Sequence, residues 1–258
     1  MKLLLLITLF IPAFANSQNL QLFTSESFVK NGQTLPYRIL YPENFSKKEK
    51  YPLLLVLHGA GERGNDNELQ LTHGASLFMK DDIRKKFPGI VVFPQCPMDS
   101  YWSNVNIEEQ DERRTFTFRE SGEPTKAMSL LSSLIDDLMK HSYIDKQRIY
   151  IGGLSMGGMG TFEILSRKPD VFAAAFVICG SGHPKTVKEY ATKVPVWIFH
   201  GGKDDVVPLS FSKIMVTALK EAGANPRFTM YPDVEHDSWT QVFAEPDLLP
   251  WLFSNRRK

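Results

Sequence analysis

The chain has 258 residues, 43% apolar and 23% charged, and its 30 basic and 29 acidic side chains leave a formal net charge of +1. That length holds one large α/β domain or two small ones with a sizeable core. The near-neutral balance, with no long charged block, gives no sign of a nucleic-acid-binding surface, and no nucleic-acid partner is expected.

The first residues stand apart. Lys2 precedes an apolar run from Leu3 to Ile11, then Pro12 and Ala13-Phe14-Ala15. A positive start, a short apolar centre and a small-x-small end predict a signal peptide over residues 1–15. The run is shorter than the roughly 20 apolar residues of a membrane span. The expectation is an exported protein, periplasmic or extracellular in a bacterium, with no stable membrane association after cleavage near Asn16. Residues 16–258 are then expected to form a single domain.

Two strands follow, "FTSESFV" and "LPYRILYP", around "KNGQ", whose Asn31-Gly32 signals a hairpin turn. "YPLLLVLHG" (51–59) is nearly continuous apolar sequence, as in a strand buried on both faces. "GIVVFPQ" (89–95), "RIYIGG" (148–153), "FAAAFVICG" (172–180) and "VPVWIFHGG" (194–202) are further strands of this kind, and "RFTMYPD" (227–233) is the last strand. Residues 97–124 fit no element. Their length, and their place after a strand, suit a loop that shapes a substrate site. Helical spacing appears in 124–142, through Met128, Leu131, Leu134, Ile135 and Leu138, and again in 210–223. Alternating strands and helices predict an α/β fold: a mostly parallel central sheet, an antiparallel N-terminal edge and helices on both faces.

Within "RIYIGGLSMGGMGTFEIL", Gly153-Leu154-Ser155-Met156-Gly157 is G-x-S-x-G. The pentapeptide alone arises by chance in roughly one in ten chains of this length. Its setting is more informative, because a strand precedes it and a helix-compatible run follows. A nucleophile on such a strained turn stands clear of the sheet, and side chains at the flanking positions would collide. The helix start behind it offers N–H groups to a developing oxyanion.

A serine needs a base. Of six histidines, His141 ends a helix, His73 lies in a polar loop, and His58 and His200 end strands where loops are shaped. His183 follows a strand end and is a minor candidate. His236, in "YPDVEHDSW" after the last strand, is the predicted base. "HGGKDDVVP" offers Asp204 or Asp205 as the orienting acid, which gives the order Ser, Asp, His. The backbone N–H groups of Ala60 and Met156 are the expected oxyanion donors. "HGAGERG" lacks the Gly-Lys-Ser/Thr of a phosphate loop. No cofactor is needed, and no Cys/His cluster has metal-ligand spacing. Cys96 and Cys179 pair only if their Cα atoms come within about 7 Å.

"LHGAGERGNDN", "VVFPQCP", "RIYIGGLSMGGMGTFE", "FVICGSGHP", "VWIFHGGKDDVVP" and "YPDVEHDSW" together resemble the α/β-hydrolase superfamily. More narrowly, the chain resembles secreted esterases related to polyhydroxybutyrate depolymerases, feruloyl and acetyl-xylan esterases, and the predicted peptidases near prolyl oligopeptidase. In such families the acid is the aspartate of H-G-x-x-D, which selects Asp204. The resemblance implies a serine hydrolase cleaving carboxylic esters, on small molecules or on acyl or feruloyl groups of polysaccharide. A prolyl-oligopeptidase-like peptidase is the alternative, and a non-catalytic binding module is a third reading. Trp102, Trp239 and His183 are candidates to line the substrate, with Tyr101 and Met156 beside them; packing is the competing role for the tryptophans.

Overall fold

The computed structural model describes residues 20–110 and 113–257. The predicted signal peptide lies outside the described residues. Among those described, no helix is long and apolar enough to cross a membrane.

In chain order the elements are β1 (Thr24–Lys30), β2 (Gln33–Leu40), β3 (Tyr51–Leu57), α1 (Ala75–Phe78), α2 (Asp81–Lys86), β4 (Ile90–Pro94), β5 (Val105–Gln110), β6 (Arg113–Phe118), α3 (Lys126–Leu138), β7 (Ile144–Leu154), α4 (Met156–Arg167), β8 (Ala174–Ile178), β9 (Val196–Gly201), α5 (Leu209–Glu221), β10 (Arg227–Tyr231), α6 (Trp239–Val242) and α7 (Leu248–Ser254). Short 3₁₀ turns complete them, including Ala60–Glu62 after β3. Eight strands form one sheet in the order β1-β2-β4-β3-β7-β8-β9-β10. From β4 to β10 the pairing is parallel; β2 meets β4 antiparallel, and β1 meets β2 antiparallel. The predicted hairpin forms the edge, with Asn31 at φ 52° and Gly32 at φ 72°, both left-handed as a tight two-residue turn requires.

Successive side chains of a strand point to opposite faces, and both faces are covered. Leu53, Leu55 and Leu57 of β3 join a core with Leu131 and Ile135 of α3, Phe162 of α4 and Met215 of α5. Leu54 and Val56 join a second core with Phe78, Val242, Leu248 and Leu252. This two-sided burial explains why the strands read as unbroken apolar runs. Helix α3 starts where the Thr125 hydroxyl accepts the Met128 N–H at 3.1 Å.

Residues 97–124 depart from expectation. Rather than an irregular loop, they contain β5 and β6, a separate antiparallel pair. Both strands alternate, and the register sets Val105 opposite Phe118 and Ile107 opposite Phe116, a short apolar face that is only partly buried, while Glu108 and Glu109 of β5 are exposed. Its anchorage is aromatic: the rings of Phe116 and Phe118 meet Phe211 of α5 edge-on at 5.7 and 6.2 Å.

Candidate active site

Parallel strands share one carboxyl-terminal end, and the three predicted residues follow three of them. Ser155 joins β7 to α4, Asp204 follows β9, and His236 follows β10. Ser155 sits at φ 52°, ψ −118°, a conformation that costs a non-glycine residue on the order of 1–3 kcal/mol. The flanking glycines permit it. A Cβ on Gly157 would lie 2.1 Å from the carbonyl oxygen of Leu57, and one on Gly153 would lie 2.5 Å from the Gly157 carbonyl carbon.

The three side chains make one hydrogen-bonded row. His236 Nε2 lies 3.0 Å from Ser155 Oγ, and His236 Nδ1 lies 2.8 Å from Asp204 Oδ2. The other carboxylate oxygen, Oδ1, accepts the N–H groups of Val206 and Val207 at 3.0 and 2.8 Å. Burial alone would raise the Asp204 pKa; hydrogen bonds from His200, His236 and Val207 outweigh it and hold the carboxyl far below the usual range. Asp205 is exposed.

Ala60 and Met156 each open a helical turn, so neither N–H has a partner within its own helix. The point where a Cβ on Gly59 would sit lies 3.7 Å from Ser155 Cβ, which sets the Ala60 turn beside the serine. His58 holds that turn from within. Its Nδ1 donates to the Gly59 carbonyl at 2.6 Å and its Nε2 accepts the Cys96 N–H at 2.9 Å, so the ring is neutral. Burial pulls its pKa down to about 4.

The lining candidates separate. Trp239 faces the row, its ring edge-on to His236 at 5.3 Å. Trp102 does not: it is fully buried, edge-on to His58 at 5.6 Å, and packed so close that a Cβ on Gly160 would lie 2.5 Å from its own Cβ. A helix with glycine there leaves a socket that the indole fills, which corrects the expectation that Trp102 lines the substrate. Met156 is likewise buried. His183 lies outside the row, in a cavity of about 460 Å³ with Phe118, Phe162 and Gly182, where its Nδ1 accepts the Lys185 N–H. His141 stacks on Tyr143 instead.

Two neighbours went unread in the sequence. His73 packs on Trp239 at 5.0 Å and lies 3.6 Å from Glu62. Burial would raise the Glu62 pKa, but the neighbouring His73 imidazole outweighs it and keeps it lowered. Glu62 stands four residues after His58, within 4.0 Å of its ring, in a stretch whose sequence spacing is not helical.

Cys96 and Cys179 are both free and buried, one in each core. Among the described residues, Cys179, Asp204 and His236 bring donor atoms within 4.8 Å of one another. Within this group Asp204 pairs with His236, and burial pushes the Cys179 thiol pKa up, away from the thiolate that a metal would need.

Residues 44–245 match the phospholipase/carboxylesterase family. A bifunctional acetylxylan esterase/xylanase of Neocallimastix patriciarum is 35% identical over 156 residues, covering 60% of this chain and 20% of that protein. A mouse lysophospholipase-like protein 1 is 28% identical over 193 residues, 71% of this chain and 79% of that one. The solved structure of a thermostable esterase superposes with a TM-score of 0.81 at 35% identity, covering 93% of this chain and 64% of the other. The chain thus spans about a fifth of the fungal enzyme and under two thirds of the thermostable one. With the match running through the serine, the acid loop and the histidine, the chain belongs to the phospholipase/carboxylesterase family of α/β-hydrolases.

Proposed function

We propose that the protein hydrolyses carboxylic esters through an acyl-enzyme. The observation that carries this reading is the unbroken row from Ser155 Oγ to His236 at 3.0 Å and from His236 to Asp204 at 2.8 Å. Ser155 Oγ attacks the carbonyl carbon and His236 Nε2 takes its proton. Asp204, an anion held by four donors, keeps the Nδ1 hydrogen and stabilises the imidazolium. The N–H groups of Ala60 and Met156 stabilise the oxyanion. His236 then protonates the departing alkoxide, and a water deprotonated by the same nitrogen releases the acid and frees the serine.

The substrate class we favour is acyl or feruloyl groups carried by polysaccharide, met outside the cell after export. Support comes from relatives described as an acetylxylan esterase/xylanase and an endo-1,4-beta-xylanase/feruloyl esterase. An activity panel tests the reading, with acetyl, butyryl, octanoyl and feruloyl esters beside a peptide amide, on wild type and Ser155→Ala. Ester turnover that disappears in the variant is expected. Amide turnover above ester turnover would favour the peptidase, and silence on all substrates from a folded protein would favour a binding module.

A further inference from the structure

A second histidine holds the acid. His200, next to last in β9, is fully buried and moves no proton in the steps above. Its Nε2 lies 2.8 Å from the carbonyl oxygen of Val207 and 3.2 Å from Asp204 Oδ2. Both partners are acceptors only. A bare ring nitrogen would repel both, so Nε2 carries hydrogen and shares it between them. On the far side, Nδ1 lies 2.7 Å from Ser212 Oγ, which lies 3.1 Å from the carbonyl oxygen of Gly180. Ser212 has one hydrogen to give. It can go to Nδ1 or to the Gly180 carbonyl. Either arrangement keeps the Nε2 hydrogen on Asp204.

We infer that His200 is a positioning residue for the acid, an inference that rests on the proposed roles of Ser155, Asp204 and His236. Asp204 Oδ2 takes hydrogen from His236 on the solvent side and from His200 on the core side. With the two N–H groups on Oδ1, this fixes the carboxylate plane and points one oxygen at Nδ1 of the base. The connection also runs onward. Gly180 presses against α4 so closely that a Cβ on it would lie 2.6 Å from the Gly158 carbonyl carbon. The chain Gly180–Ser212–His200–Asp204 therefore references the acid to the same helix that carries the nucleophile. A side chain that merely filled space at position 200 would give no such reference.

The test compares His200→Gln, His200→Leu and Ser212→Ala with wild type and Ser155→Ala, using an acetyl ester. A fluorophosphonate titration of reactive serine counts folded enzyme in each sample. Glutamine sets an amide N–H where Nε2 stood; leucine fills the space without a donor. His200→Leu is expected to lower kcat between about tenfold and a hundredfold with KM within twofold. His200→Gln recovers most of that loss. Ser212→Ala, which frees Nδ1 without touching the acid, lowers kcat about threefold. Equal losses in the glutamine and leucine variants, or a change confined to KM, overturn the inference. If leucine prevents folding, an unchanged kcat in Ser212→Ala overturns it instead. Activity surviving in Ser155→Ala would sink the proposed function itself, a result distinct from any of these.

Discussion

Around Ser155 the backbone is confined by contacts that admit no further atom, and Gly157 has no room for even a methyl group against Leu57. The β5–β6 arm is held differently: two phenylalanines touch one ring of α5, while Glu108, Glu109, Arg114 and Thr115 face solvent. Both regions belong to the loops and turns beyond the strand ends. One holds the candidate nucleophile in packing that leaves no slack, and the other is a lightly anchored arm whose surface has room to vary. If the proposed function holds, close packing and matched donors belong where geometry would set rate, and the arm belongs where shape would set preference.

Four experiments would break or sharpen that contrast. The largest effect is expected at the acid. Asp204→Asn should lower kcat/KM by about 10³–10⁴-fold, while Asp205→Asn stays within about twofold; ester kinetics on both variants check it, and a reversal would exchange their roles. Next comes Gly157→Ala, where the new Cβ meets backbone that cannot yield. A loss on the order of 4 kcal/mol, or failure to fold, is expected in urea unfolding; a small loss would show that the turn can relax.

The third concerns pH. His58 is neutral in the fold with its pKa pulled down to about 4, whereas in the unfolded chain it titrates near about 6.5. The unfolded state therefore takes up the proton first. Stability present above the unfolded pKa is lost as pH falls from there towards the folded one, on the order of 3 kcal/mol in all. Unfolding midpoints at pH 7.5 and 4.5 measure it, and His58→Asn should flatten the change. A flat wild-type profile would contradict the neutral ring. The smallest effect is expected in the arm. Phe118→Ala should cost about 1 kcal/mol or less, leave acetyl-ester turnover within twofold and raise KM for the bulkier feruloyl ester. An equal fall on both esters would tie the arm to the chemistry and dissolve the contrast.

What the sequence disclosed follows the same division. The glycines about Ser155, the Asn31-Gly32 turn and the two-face apolar strands each record a local constraint, so the sheet and the row Ser155, Asp204, His236 could be read before any coordinate. The β5–β6 pair was missed because its alternation is short, Val105 and Ile107 against Phe116 and Phe118, and lies inside a long polar stretch. Helices α1 and α2 are too short, at four and six residues, to show a period. Trp102 sits in a polar stretch, and only the socket above Gly160 explains its burial. The His200–Asp204 contact joins residues four apart in the chain, yet what orients them, Ser212 and Gly180, comes from other elements. Such pairings are set by the tertiary fold and leave no mark on spacing.

The unpaired thiols carry a last consequence, for the chain's history rather than its chemistry. Cys96 and Cys179 lie in cores on opposite sides of the sheet, so the folded molecule cannot join them and shields both from reagents. Before folding no sheet separates them. In an oxidising medium the two would compete to close a covalent loop that the native arrangement forbids, and a chain so closed could not complete its sheet. For such a chain, speed of collapse would matter more than any resistance of the finished fold, which already keeps the two thiols buried and apart.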